Sequence, residues 1–173
     1  GEDILYYGGM DSPTSDSDSV RASLEHEADG WRLEAEGYHT DVYHVMDNYT
    51  LRTPPANPMQ RASVPADSVT AGGRVRVDIL AGDTTWTLGV DHQGNNRDAD
   101  RLNTSGRATA YLWPDVDLLQ TGLYAEVNTP VAGRTLLRAG LRYDHVTAEA
   151  NQAAQSPAAS TATPNQYYNA VYG

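Results

Sequence analysis

Trp31-Arg32-Leu33-Glu34-Ala35-Glu36-Gly37-Tyr38-His39-Thr40-Asp41-Val42-Tyr43-His44-Val45-Met46-Asp47-Asn48-Tyr49-Thr50-Leu51-Arg52 is too long for the five- or six-residue strand usual in soluble proteins, and it has no helical period. Trp31, Leu33 and Ala35 fall on one parity, and Arg32, Glu34 and Glu36 on the other. Side chains of a strand alternate between its two faces, so one face is apolar and the other charged. Tyr38, Thr40, Val42, His44 and Met46 continue the charged parity. His44 and Met46 are two residues apart and project side by side from the polar face. An imidazole nitrogen beside a thioether sulfur is a plausible half-site for a soft metal ion.

The same alternation recurs along the chain. Val20, Ala22 and Leu24 alternate with Arg21, Ser23 and Glu25, which predicts a strand over Asp18–Glu27. Ala28-Asp29-Gly30 is a hairpin turn of the Asp-Gly kind. A strand over Ser68–Ala81 sets Val69, Ala71, Val75, Val77 and Ile79 against Thr70, Arg74, Arg76 and Asp78. After Gly82-Asp83 come Trp86, Leu88 and Val90. Leu119, Leu123, Ala125 and Val127 form a fifth strand, and Leu137, Ala139, Leu141 and Tyr143 a sixth. Residues 1–8 and Tyr167 onward read as two partial strands. The connections alternate: polar loops over 8–18, 48–66, 94–115 and 148–166 on one side, short turns on the other. The last loop, rich in Ala, Gln, Ser, Thr and Pro, is expected to be flexible.

A water-soluble sandwich or β-solenoid would bury its apolar face and has no reason to keep tight turns at one end only. A transmembrane β-barrel shows lipid an apolar face, keeps a polar lumen, and pairs short periplasmic turns with long outer loops. Trp31 and Trp86 each lie on the apolar parity beside a short turn, where an interfacial aromatic girdle belongs. The expected fold is all-β: an antiparallel meander, part of a transmembrane barrel, with about six full strands and two partial ones.

Composition narrows the function. The 173 residues carry a net charge of −11, and all twelve basic residues are Arg, an acidic balance that argues against nucleic acid as a partner. There is no Cys, which excludes disulfides and thiolate zinc sites. No run of about 18 apolar residues is present, so no transmembrane helix is expected. Gly1-Glu2-Asp3 lacks the start of a secretory leader, and Tyr167–Gly173 reads as a strand cut short; the expectation is a segment, residues 1–173, of a longer chain. Asp11, Asp16 and Asp18 lack the Gly and distal Glu of a calcium loop. His26, His39, His92 and His145 fall on apolar parities, where packing at lipid or the interface is the default. No Gly-x-Ser-x-Gly, His-Glu-x-x-His or phosphate-binding loop points to catalysis.

Tyr43-His44-Val45-Met46-Asp47-Asn48-Tyr49-Thr50-Leu51-Arg52-Thr53-Pro54 closely resembles a segment of TonB-dependent copper receptors of the Gram-negative outer membrane. Ile4-Leu5-Tyr6-Tyr7-Gly8-Gly9-Met10-Asp11-Ser12-Pro13 and Gly89-Val90-Asp91-His92-Gln93 match the same family. Ala139-Gly140-Leu141-Arg142-Tyr143-Asp144-His145-Val146 is similar to a strand pattern of TonB-dependent receptors at large. The resemblance implies a 22-stranded barrel plugged by an N-terminal domain and energised through the TonB complex. It also implies that a Cys-x-x-x-Met pair on the plug and a His-x-Met pair on a barrel strand bind a copper ion together. His44 and Met46 match the second pair; the plug domain is absent here, so the first has no counterpart. Soft sulfur favours the cuprous ion. Met10 and Met59, in outer loops, are candidates for passing copper to the site. The rival readings are a receptor for a siderophore or another metal chelate, and a non-transporting barrel such as an adhesin or a structural porin. An isolated sheet with one apolar face and two open edges should aggregate in water. Residues 1–173, expressed alone without detergent, are expected to be insoluble; a monomeric soluble preparation that unfolds cooperatively would contradict this.

Overall fold

The computed structural model describes residues 9–172. Six antiparallel strands form one sheet in strict sequence order: β1 (Asp11–Ala28), β2 (Trp31–Asp47), β3 (Ser63–Ala81), β4 (Thr84–Leu102), β5 (Ala108–Ala132) and β6 (Thr135–Ala150). β1 and β6 are its edges, so the sheet is an open arc. The fold class is the one read from the alternation: an all-β meander.

Three two-residue turns close one end of the sheet. Gly30, Gly82 and Gly133 there have φ of 83°, 63° and 54°, a region that glycine enters without a Cβ clash. Starting from these turns, the register lines up successive rows across the sheet. Trp31 pairs with Ile79, Ile79 with Trp86, Trp86 with Val127 and Val127 with Ala139. Leu24, Ala35, Val75, Val90, Leu123 and Tyr143 form a row in the middle. The side chains of this face stand in the open: Leu141 is 78% exposed and Val20 65%. The apolar band ends at a row in which Asp18, Asp41, Asn96, Asp117 and Glu149 outnumber Val69. From Trp31 to Asp41 is ten residues. At about 3.3 Å each along a strand tilted by roughly 45°, this gives a band about 23 Å tall, close to the height of a barrel's lipid-facing belt.

The opposite face carries ion pairs and hydrogen bonds. Arg142 on β6 reaches across β5 to Asp91 on β4, with Nη1 2.8 Å from Oδ2, and also binds Asp144. It crosses over Gly122, where a Cβ would overlap its guanidinium. Tyr38 likewise lies over Gly72 and donates to Gln93 at 2.9 Å. Nearer the short turns, Arg76 meets Asp78 at 3.1 Å and Arg32 meets Glu34 at 3.0 Å.

Several boundaries differ from the sequence reading. Residues 11–17, 63–67, 94–102 and 108–115 are strand rather than loop, which leaves 48–62, 103–107 and 151–163 as the connections on that side. The cause is physical. Beyond the lipid belt neither face needs to be apolar, so the hydrophobic period vanishes while the hydrogen-bonded ladder continues. The expected strand from Tyr167 is instead part of a helix, α1 (Pro164–Tyr172). Thr163 and Gln166 form a capping box: Gln166 N donates to Thr163 Oγ1 at 3.2 Å, and Thr163 N donates to Gln166 Oε1 at 3.0 Å. Pro164 at the first helical position suits the same start. The partial strand expected over residues 1–8 lies outside the described residues.

Leu123 sits in the middle row on the apolar face, and Gln120 looks inward. In the full-length protein, Leu123→Arg should cost about 2–4 kcal/mol and Gln120→Arg well under half of that, measured by urea unfolding from a bilayer.

Candidate functional site

His44 and Met46 lie near the end of β2, three and five residues past the polar row that closes the apolar band. The rise of a tilted strand puts His44 about 7 Å above that band, on the side of the long connections. Both side chains are on the inner parity, as the alternation indicated. His44 pairs with Ala66 on β3, Ala66 with Ala99 on β4, and Ala99 with Trp113 on β5. Three strand spacings of about 4.8 Å separate the backbones of His44 and Trp113. Yet the ring centroids are only 6.4 Å apart, with the planes at 74°. The rings lean together because only two alanine methyls lie between them.

Met46 pairs with Val64. Val64, Ala66 and Ala99 form a small buried cluster, and the partly buried Met46 and Met10 both pack against it. The arrangement therefore gathers an imidazole and two thioethers around one apolar floor. Met59 stands apart at 90% exposure, on a single 3₁₀ turn over Pro58–Gln60. Met10 thus joins the His44–Met46 region and Met59 does not. His26, His39, His92 and His145 lie on the opposite face; His92 Nδ1 is 2.8 Å from Thr121 Oγ1, and the His26 ring lies tilted at 46° to Trp31 with centroids 5.3 Å apart. Among the described residues no three His, Cys, Asp or Glu side chains gather as a metal site would require.

The residues after Met46 build the adjoining wall. Asp47, buried, accepts from the backbone N–H of Tyr49 at 3.0 Å and of Thr50 at 2.8 Å, an Asx turn that reverses the chain. Asn48 ties the two ends of the 48–62 connection: its Nδ2 donates to Gln60 O at 2.9 Å and its Oδ1 accepts from Ala62 N at 3.0 Å. Arg52 donates two hydrogen bonds to the fully buried carboxylate of Asp11 at the start of β1. This bond holds the Arg52 guanidinium firmly protonated, its pKa raised above the usual arginine value. Within Tyr43–Pro54, then, His44 and Met46 share the inner face while Asp47, Asn48 and Arg52 hold the frame.

Asp98 and Asp100 lie at the outer end of β4, and burial raises the pKa of both carboxyls. The Oδ1 atom of each has no hydrogen-bond partner among the described residues. Trp113, expected inside a loop, is a strand residue against His44. No apolar alternation marks it, and only the register exposes it.

The comparisons with known proteins agree with this architecture. A family model described as "TonB dependent receptor-like, beta-barrel" matches residues 2–173. A solved structure named "Copper transporter OprC" superposes with a TM-score of 0.69 at 25% sequence identity, over 84% of this chain. The chain spans 25% of the length of that protein. No curated protein sequence matches.

The frame makes two measurable differences. Arg52→Ala should speed amide hydrogen exchange across 48–62, because Asp11 would lose its cationic partner; exchange unchanged there would show that the clamp is dispensable. Asp100→Asn should raise thermal stability at neutral pH. A carboxyl whose folded-state pKa is raised binds its proton more tightly when folded, so the wild type recovers stability as pH falls toward that pKa. The advantage of Asp100→Asn should therefore shrink in acid, as read by melting curves at several pH values.

Proposed function

We propose that this chain, which belongs to the TonB-dependent receptor β-barrel family, is part of a receptor that admits copper across the Gram-negative outer membrane, with His44 and Met46 as the barrel's half of the metal site. As a segment of such an outer-membrane barrel it is a transport protein rather than an enzyme. The observation that carries the copper reading is the placement of His44 and Met46. They lie side by side on the pore face, just above the lipid belt, in the stretch that resembles copper receptors. The likeness to a solved copper transporter supports the same reading.

The donor chemistry selects the ion. A thioether is a soft, neutral ligand that prefers cuprous ion over hard cations, while imidazole serves copper and zinc alike. The apolar floor of Val64, Ala66 and Ala99 offers no oxygen ligand to calcium or magnesium. Two donors on one strand leave a cuprous ion open on its other side. In the full receptor that side would be closed by a plug domain, whose response to the TonB complex would supply the energy for release inward. Met10, packed on the same floor as Met46, is placed to supply a further thioether on the outer approach.

In the full-length receptor, His44→Ala and Met46→Ala together should abolish copper binding, read as metal content after purification from copper-supplemented cells. Silver should compete for the site and zinc should not. Unchanged copper content in the double variant would end this reading.

A further inference from the structure

Trp113 should, by its position in the strand, look away from the pore. The inner face of β5 is made of even-numbered residues: Val116, Leu118, Gln120, Gly122, Tyr124 and Glu126, paired with Arg97 through Thr87 on β4. An odd-numbered neighbour would point outward. However, between the pairs Arg97–Val116 and Ala99–Trp113, β4 advances two residues and β5 three. The extra residue is a β-bulge at Pro114-Asp115, and a bulge exchanges the two faces for the strand residues on its far side.

The bulge carries backbone strain. Asp115 has a φ of 50°, the left-handed region that costs an L-residue about 1–2 kcal/mol. It is held there from several directions. Asn151 N donates to Asp115 O at 2.9 Å, and Gln152 N to Pro114 O at 3.0 Å. The Asp115 carboxylate accepts from Asn96 Nδ2 and Asn151 Nδ2, each at 3.1 Å. Strain so thoroughly held tends to mark a place where geometry serves function.

What the bulge achieves is the aim of one ring. Trp113 meets His44 edge to face at 6.4 Å, and the Arg97 guanidinium lies 5.9 Å from the Trp113 centroid. Arg97 is itself tied through Nε to Asn95 Oδ1 at 2.5 Å. Imidazole binds a metal along a lone pair in the plane of its ring, so the ring's angle decides whether the nitrogen meets the ion. A ligating histidine is ordinarily fixed by a hydrogen bond from its other nitrogen. Among the described residues no hydrogen bond orients His44; the ring contact with Trp113 is what constrains it.

We propose that Trp113, turned into the pore by the Pro114-Asp115 bulge, is the positioning residue that sets the angle at which the His44 imidazole meets a soft metal ion. This rests on the reading of His44 and Met46 as a metal half-site. The test uses the full-length receptor in detergent, with cuprous ion supplied from a competing chelator. Trp113→Leu keeps an apolar side chain and removes the ring, and Trp113→Phe keeps an aromatic edge. Trp113→Leu should weaken cuprous-ion binding about tenfold, the scale set by loss of a residue that orients a ligand, and Trp113→Phe should restore most of it. Trp113→Ile, β-branched and so suited to a strand, should match Trp113→Leu and serves if that variant does not fold. Unchanged affinity in Trp113→Leu, or an equal loss in Trp113→Phe, would overturn the proposal. Binding that survives in His44→Ala would instead overturn the half-site beneath it.

Discussion

In hydrocarbon a backbone amide has no water to bond with, and each one left unpaired costs several kcal/mol. The strand ladder answers this requirement. Each of the six strands is paired along nearly its whole length with its sequence neighbour, and only β1 and β6 leave one side open. Once the ladder is fixed, alternation fixes everything else. Half the side chains must suit lipid, and the other half are released from that demand and can be charged. The row of Leu24, Ala35, Val75, Val90, Leu123 and Tyr143 meets the first condition. Arg142, Asp91, Asp144 and Gln120 use the freedom of the second.

The inner face is a single layer, so its polar side chains cannot bury themselves in a core. They lie down across the sheet instead, which needs vacant ground on the neighbouring strand. Gly122 gives it to Arg142, Gly89 to Tyr124, and Gly72 to Tyr38. Ala66 and Ala99 give it to His44 and Trp113 by the same logic, one methyl larger. Small residues on the charged parity are therefore seats for long residues one strand away. This explains why glycines interrupt strands in which they would otherwise only weaken the ladder.

This division also explains how much the sequence disclosed. Within the belt the strands were legible, because lipid imposes a period of two that any count of residues detects, and the same count carried three residues past it put His44 on the inner parity. Above the belt that pressure ends. Residues 94–102 and 108–115 alternate in nothing, so they read as loop although the ladder runs on through them. Trp113 was hidden for a second reason. Its aim depends on one extra residue relative to β4, a relation between two strands that neither strand's own sequence contains. Met10 was placed in a loop, and only packing brings it to Met46. The helix from Pro164 was the opposite case, since its signal, Thr163 with Gln166 after a proline, lay in plain view within a stretch read as low in complexity.

On the reading proposed for His44 and Met46, their place on the wall bears on how such a site would work. A metal carried through a barrel must be held tightly enough to be taken from dilute solution, and loosely enough to leave again. A complete ligand set on rigid strands would meet the first need and defeat the second. An imidazole and a thioether on one strand, over an apolar floor, form an incomplete set that binds strongly only when another group closes it. Affinity then depends on whether that group is present, and moving it away is enough to free the ion. On the proposed reading, the rigid half belongs on the barrel, where paired strands carry both His44 and Met46. The changeable half belongs on whatever moves inside.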